Sequence, residues 1–289
     1  MDLIQRTFSS LKHRNFRLFF AGQAVSVVGT WIQQTALSWL VYELTGSKYM
    51  LGVVAALSSL PMLFLPILGG VIADRFPKKK ILIITQFMSM FFMVVFAALI
   101  VSGKYNINHI MIISVLIGTV FAIDMPARHA FVVEIAGKQD LMNAIALNSS
   151  MFNLARVIGP AIAGVIMMRL GVSWCFIINV FSFLAVLIAL FYVQAAEVPI
   201  IKRTESIAQY TLSGFRYVKQ NKTILNVMVL MVMMGIFGWS YSVLIPALAK
   251  DVFSQGEQGY AMLVSSIGLG ALFGALFVAY MGNTEHRKR

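Results

Sequence analysis

The sequence predicts an all-α integral membrane protein with about eight transmembrane helices. Two observations carry this. Of its 289 residues, 59% are hydrophobic and 12% are charged, whereas soluble domains are roughly 45–50% apolar and about 25% charged. The charges are also clustered, so that long apolar stretches stand between them. A surface with so few charges suits lipid rather than water, and the lipid bilayer is the first partner expected.

Charge-free stretches run from Leu18 to Tyr42, Tyr49 to Ala73, Ile81 to Gly103, Tyr105 to Ile123, Leu170 to Ala196, Thr223 to Ala249 and Gln258 to Thr284. An eighth, Leu141 to Met168, is interrupted only by Arg156. Each supplies the roughly 20 helical residues that cross ~30 Å of hydrocarbon. Runs such as Phe91-Phe92-Met93-Val94-Val95-Phe96 do not alternate apolar and polar residues, as barrel strands do. The first stretch follows Arg6, Lys12, Arg14 and Arg17, but it is longer than the apolar core of a signal peptide and reads as a retained helix.

Basic residues set the orientation. With the N-terminus inside, eighteen Lys and Arg fall on inside segments, counting Arg128 and Lys138 between the fourth and fifth spans, and four fall outside: Lys48, Lys104, Arg169 and Lys250. This asymmetry predicts a cell inner membrane protein with both termini cytoplasmic. The net charge of +12 is spread over these short clusters rather than over one patch, so no nucleic acid partner is expected.

Three parts are expected: a six-helix bundle over 1–196, a cytoplasmic linker over 197–222, and a two-helix unit over 223–289. In the linker, Ile207, Tyr210, Thr211, Gly214, Phe215 and Val218 recur at helical spacing, as on an amphipathic surface helix; a solvated loop is the alternative. The first and seventh spans begin similar units. Each continues through an outside turn and a second helix to a basic run, and the runs end at Lys80 and Arg289, 209 residues apart. Such a repeat is typical of transporters built from two six-helix bundles. The second unit stops after two helices, which leads us to expect a C-terminally truncated chain.

The most informative stretch is Gly70-Val71-Ile72-Ala73-Asp74-Arg75-Phe76-Pro77-Lys78-Lys79-Lys80. Gly70 is expected to let a neighbouring helix come close. Asp74 at a helix C-terminus needs a cationic or helix N-terminal partner, and Pro77 turns the chain. This stretch resembles the signature of the major facilitator superfamily, G-x-x-x-D-R-x-G-R/K-R/K, with Pro77 where glycine is usual. The resemblance implies a major-facilitator-type bundle in which Gly70, Asp74, Arg75, Pro77, Lys78 and Lys79 form a cytoplasmic gate motif. A second stretch, Arg156 to Gly164 with Gly159 and Pro160, is similar to the antiporter motif of exporting members, with Ala155 and Ala163 replacing two of its glycines. Asp124-Met125-Pro126-Ala127-Arg128, with Asn143-Ala144 and Asn148-Ser149, resembles the branch that contains the enterobactin exporter and macrolide efflux proteins.

Polar residues inside the spans are the remaining candidates. Arg156 shares a helical face with Ser149, Asn153 and Pro160, as a cavity lining would. Asp124 is a candidate for coupling or for an ion pair. Arg156 is a long reach away, and Arg128, one turn along, or the gate basics are the other partners. Gln23, Thr30, Gln34 and Ser38 share a face of the first helix, which fits a cavity lining and an interhelical seam equally well. Trp239 and Tyr241 are candidate aromatic contacts.

Other chemistries lack their residues. There is no phosphate-binding G-x-x-x-x-G-K-[ST] loop and no HExxH. Cys175 is the only cysteine, so neither a disulfide framework nor a CxxC metal site is available. His13, His109, His129 and His286 are scattered. We therefore expect no enzyme, no cofactor and no metal. By resemblance, the chain is a secondary active exporter of a small hydrophobic or amphipathic molecule, of drug or siderophore class, working by alternating access and driven by protons. The alternative is a truncated, non-transporting membrane fragment.

Overall fold

The computed structural model describes residues 8–194, 216–238 and 240–281. Among these there is no strand. A short 3-10 turn, Ser9–Lys12, leads into α1 (Arg14–Thr45), α2 (Lys48–Phe64), α3 (Pro66–Arg75), α4 (Lys78–Val101), α5 (Ile107–Gly137), α6 (Gln139–Leu170) and α7 (Ser173–Tyr192). The chain resumes with a helical stretch at 216–220. It continues through α8 (Lys222–Met233), α9 (Tyr241–Ala247), each followed by a π-helical turn, and α10 (Glu257–Met281). Most of the expected linker, with its helical spacing from Ile207 to Phe215, lies outside the described residues, as does Trp239.

Local chemistry sets the ends. Gly46 closes α1 in the left-handed region at φ 58°, which only glycine adopts without cost. Ser47 then caps α2 by accepting from the Met50 N–H, and Asn106 and Asn221 cap α5 and α8 in the same way. Pro61 and Pro66 break the second passage into α2 and α3 at an angle of 48°. Helices α4 to α7 and the stretch Lys222–Val252 are each long and apolar enough to cross a membrane, and the bent α2–α3 pair makes six. At 32 residues, α1 is also long enough, though Gln23, Gln33, Gln34 and Thr35 dilute its apolarity. With α10, eight helical passages follow one another as expected.

One boundary differs from expectation. The fourth charge-free stretch ends at Ile123, and Arg128 was expected on an inside segment between the fourth and fifth spans. Instead α5 continues to Gly137, the only break, at φ 73°, and Arg128 is buried inside it. Asp124 and Arg128 stand one helical turn apart and neutralise each other, so the helix passes through both. Asp124 thus lies 13 residues from the helix end at Gly137, ~20 Å.

Two apolar layers hold the first seven helices together. Near the Gly46 turn, Phe96 of α4 meets Phe176 of α7 edge to face at 5.1 Å. Near the opposite, Lys-rich end, Phe19 of α1 meets Phe131 of α5 at 5.2 Å. We call these the hairpin end and the basic end. Small residues bring the backbones close. A Cβ on Gly22 would lie 2.6 Å from the Ala189 Cβ, and one on Gly118 would lie 2.3 Å from the Ser58 carbonyl oxygen.

Candidate functional site

The gate-motif stretch forms the corner between α3 and α4. Phe76 is extended at φ −124° and ψ 155°, as a residue preceding proline must be, and Pro77 caps α4. Asp74 and Arg75 lie on the exposed surface. The next two basic residues tie the corner to other helices. Lys78 lies 4.0 Å from Glu134 of α5. Lys79 donates to the Val193 carbonyl at 2.7 Å, where a cation satisfies the last carbonyls of α7. The close approach expected at Gly70 falls one residue earlier. Nothing lies within 4 Å of a Cβ built on Gly70, whereas one on Gly69 would lie 2.8 Å from the Ala122 carbonyl. Pro126 has no N–H to give that carbonyl, so the glycine settles against an oxygen that its own helix does not use.

Asp124 is the centre of a buried cluster. Its Oδ2 accepts from Arg128 Nε at 2.7 Å and from Arg128 Nη2. Its Oδ1 accepts from Thr85 Oγ1 at 2.6 Å and from Gln86 Nε2 at 2.9 Å, both on α4. Both carboxylate oxygens are therefore occupied, as a buried charge requires. The partner question left open by the sequence resolves to Arg128. Thr85 and Gln86 were missed, although Gln86 in an otherwise apolar run was a visible signal.

Arg156 takes a different partner. Its guanidinium lies 6.0 Å from the centre of the Trp31 ring on α1, within range of a cation–π contact. The same tryptophan explains Gly159, where a Cβ would lie 2.4 Å from the Trp31 Cβ. The rest of the antiporter-like stretch faces α10. A Cβ on Gly164 would lie 2.2 Å from the Ala261 Cβ, and one on Gly268 would lie 3.0 Å from the Val157 Cα. Gly159, Pro160 and Gly164 thus build the seam along which α6 meets α1 on one side and α10 on the other.

The polar stripes divide. On α6, Ser149 and Asn153 are exposed, and Asn153 Nδ2 donates to the Ser149 carbonyl. On α1, Gln34 is exposed while Gln23 is buried at 2% exposure. Thr30 and Ser38 donate to carbonyls of their own helix. The α1 seam runs instead through Gln33, which accepts from Asn179 Nδ2 of α7 at 2.5 Å, and Ser182 Oγ donates to Asn179 Oδ1 at 2.6 Å.

The last helices meet the earlier ones unevenly. At the hairpin end, Tyr42 Oη donates to Asp251 Oδ2 at 2.6 Å and Trp39 stacks on Tyr260 at 5.8 Å. Toward the basic end, no residue of Lys222–Met233 is buried. In the apolar 18-residue window of Lys222–Val252 the buried share is 6%, against 39–44% in the corresponding windows of α4 to α7.

A helical bundle with small-residue seams, a buried ion pair within one span and most of its charge at its ends has the architecture of a multi-pass membrane transporter. The profile of the transmembrane secretion effector family matches residues 5–285, and the chain belongs to that family of the major facilitator superfamily. It is 26% identical over 265 residues to the staphyloferrin A transporter of Staphylococcus aureus, covering 90% of this chain and 66% of that protein. It is 25% identical to the multidrug efflux pump Tap of Mycolicibacterium fortuitum, covering 90% and 65%. It is also 25% identical to the enterobactin exporter EntS of Shigella boydii, covering 91% and 63%. The chain therefore spans about two thirds of the length of these relatives. In fold it is similar to a bacterial homolog of the human lysosomal transporter Spinster, solved in an inward-facing, unoccupied conformation. The TM-score is 0.70 at 11% identity, over 97% of this chain and 64% of that one.

Proposed function

We propose that this chain is part or all of a secondary active exporter for a small hydrophobic or amphipathic molecule of siderophore or drug class, driven by the proton gradient. Helices α1 to α7, within 1–196, form one moving unit, and 223–289 contributes to the other. The basic end faces the cytoplasm. The molecule enters between the units at that end, and the units rock around it to release it on the other side. The observation that carries this reading is the meeting of the two units at the hairpin end, where Tyr42 donates to Asp251 and Trp39 stacks on Tyr260. The names of the relatives support the substrate class.

Roles for the site residues follow. The corner from Asp74 to Lys79 is the cytoplasmic gate, and Gln34, Ser149, Asn153 and Arg156 are offered to the ligand path. Four donors on its two oxygens favour a structural role for Asp124 over proton transfer.

The test is accumulation in cells lacking their major efflux pumps. The chain is expressed and shown to be in the membrane, and cellular levels of a panel of fluorescent drugs and of a siderophore are measured with and without a protonophore. Lower accumulation that the protonophore abolishes supports the reading. Unchanged accumulation across the panel supports the alternative, a membrane fragment that does not transport by itself.

A further inference from the structure

Three side chains join the two units at the hairpin end through one carboxylate. Asp251, at the end of the π-turn Leu248–Val252, accepts on Oδ2 from Tyr42 Oη at 2.6 Å and lies 2.9 Å from Lys48 Nζ on the same oxygen. Tyr42 is 3% exposed, and its ring also lies 5.9 Å from Lys250 Nζ. One layer deeper, Trp39 stacks on Tyr260 with 23° between the ring planes.

The position of this contact is informative. Tyr42 and Asp251 are 209 residues apart in sequence, so this is a long-range contact between the first unit and the second. Tyr42 and Lys48 flank the Gly46 turn, so one carboxylate of the second unit grips both sides of the first unit's turn. The Tyr42 hydrogen bond to the carboxylate is charge-assisted and short, the stronger kind, while the exposed Lys48 contact adds less.

We propose that Asp251, with Tyr42 and Lys48, is a latch that holds the two units closed at the hairpin end. That end opens only when the carboxylate releases both donors. Calling this end the outer face rests on the exporter reading above; the latch itself does not, and it is tested without transport.

The test uses the full chain in nanodiscs, with Cys175→Ser to remove the native thiol and Ile245→Cys as reporter. Ile245 is 5% exposed on α9, below the latch. Its rate of reaction with a charged, membrane-impermeant thiol reagent is measured. Asp251→Asn and Tyr42→Phe, the latter removing only the hydroxyl, should each raise the rate, Asp251→Asn by about tenfold. Lys48→Met should raise it by a smaller factor, since Lys48 is well exposed. The native Cys175, 0% exposed within the first unit, is the control for unfolding: with Asp251→Asn in the otherwise natural chain it should stay unreactive. Should Asp251→Asn expose Cys175, Tyr42→Phe decides alone. Unchanged rates in Tyr42→Phe and Asp251→Asn overturn the latch, as does a rise in Asp251→Asn with none in Tyr42→Phe and Lys48→Met.

Discussion

The carbonyl of Arg156 faces Gly268 across the α6–α10 seam, 3.2 Å from where a Cβ on that glycine would sit. Pro160, four residues on, has no N–H for this carbonyl. Ala122, Pro126 and Gly69 repeat the arrangement between α5 and α3. In both places a proline leaves an oxygen without its helical donor, and a glycine on the neighbouring helix comes up so close that a Cβ would crowd that oxygen.

This makes neighbouring glycines of α10 unequal. In Gly268→Ala the new methyl meets the Val157 Cα at 3.0 Å, a backbone atom that moves only with its helix. The expected cost is about 1–3 kcal/mol, read as a lower melting temperature in detergent. Nothing lies within 4 Å of Gly270, so Gly270→Ala should be neutral or slightly stabilising. Equal effects would show that the seam is not as described.

The same contrast separates Gly69 from the motif residue Gly70. Gly69→Ala should lower thermal stability, because its Cβ meets the Ala122 carbonyl at 2.8 Å. Gly70→Ala should leave the melting temperature of this chain unchanged. A loss of transport in Gly70→Ala without a loss of stability would assign that glycine to movement rather than packing.

Removing one member of the buried ion pair should be severe. Asp124→Asn leaves the Arg128 guanidinium in a buried site without its carboxylate, a change expected to cost about 3–5 kcal/mol. Arg128→Met should cost a similar amount. The double variant Asp124→Leu/Arg128→Met should recover much of the loss, since no buried charge remains. Melting curves of the three variants check this. No recovery in the double variant would point to a need for the carboxylate itself, as in proton coupling.

Trp31 and Arg156 should be energetically coupled. A double-mutant cycle with Trp31→Leu and Arg156→Met, read by thermal unfolding, is expected to give about 0.5–2 kcal/mol of interaction. Additive effects would remove the cation–π contact from the account.

The eight passages were legible because apolar length is a one-dimensional signal, and the Pro77 corner because proline dictates its backbone. The end of the fourth span was not legible, because a charge-based boundary takes Asp124 and Arg128 as two charges rather than as one neutral pair. Gly70 was preferred to Gly69 because helical phase relative to a neighbour cannot be read from a motif. The division of the α1 stripe, with Gln23 inside and Gln34 exposed, reflects neighbours that come from distant sequence. Trp31 and Asp251 act on partners 125 and 209 residues away, and no local pattern announces them.

The most direct measurement is transport by the purified chain in proteoliposomes. A fluorescent lipophilic cation is supplied, an inward or outward proton gradient is imposed, and substrate movement is followed against empty liposomes. The account predicts movement opposite to the proton flux, abolished when an ionophore collapses the gradient. Movement equal to that of empty liposomes under every gradient, with correctly inserted protein and the substrates that respond in cells, would contradict it.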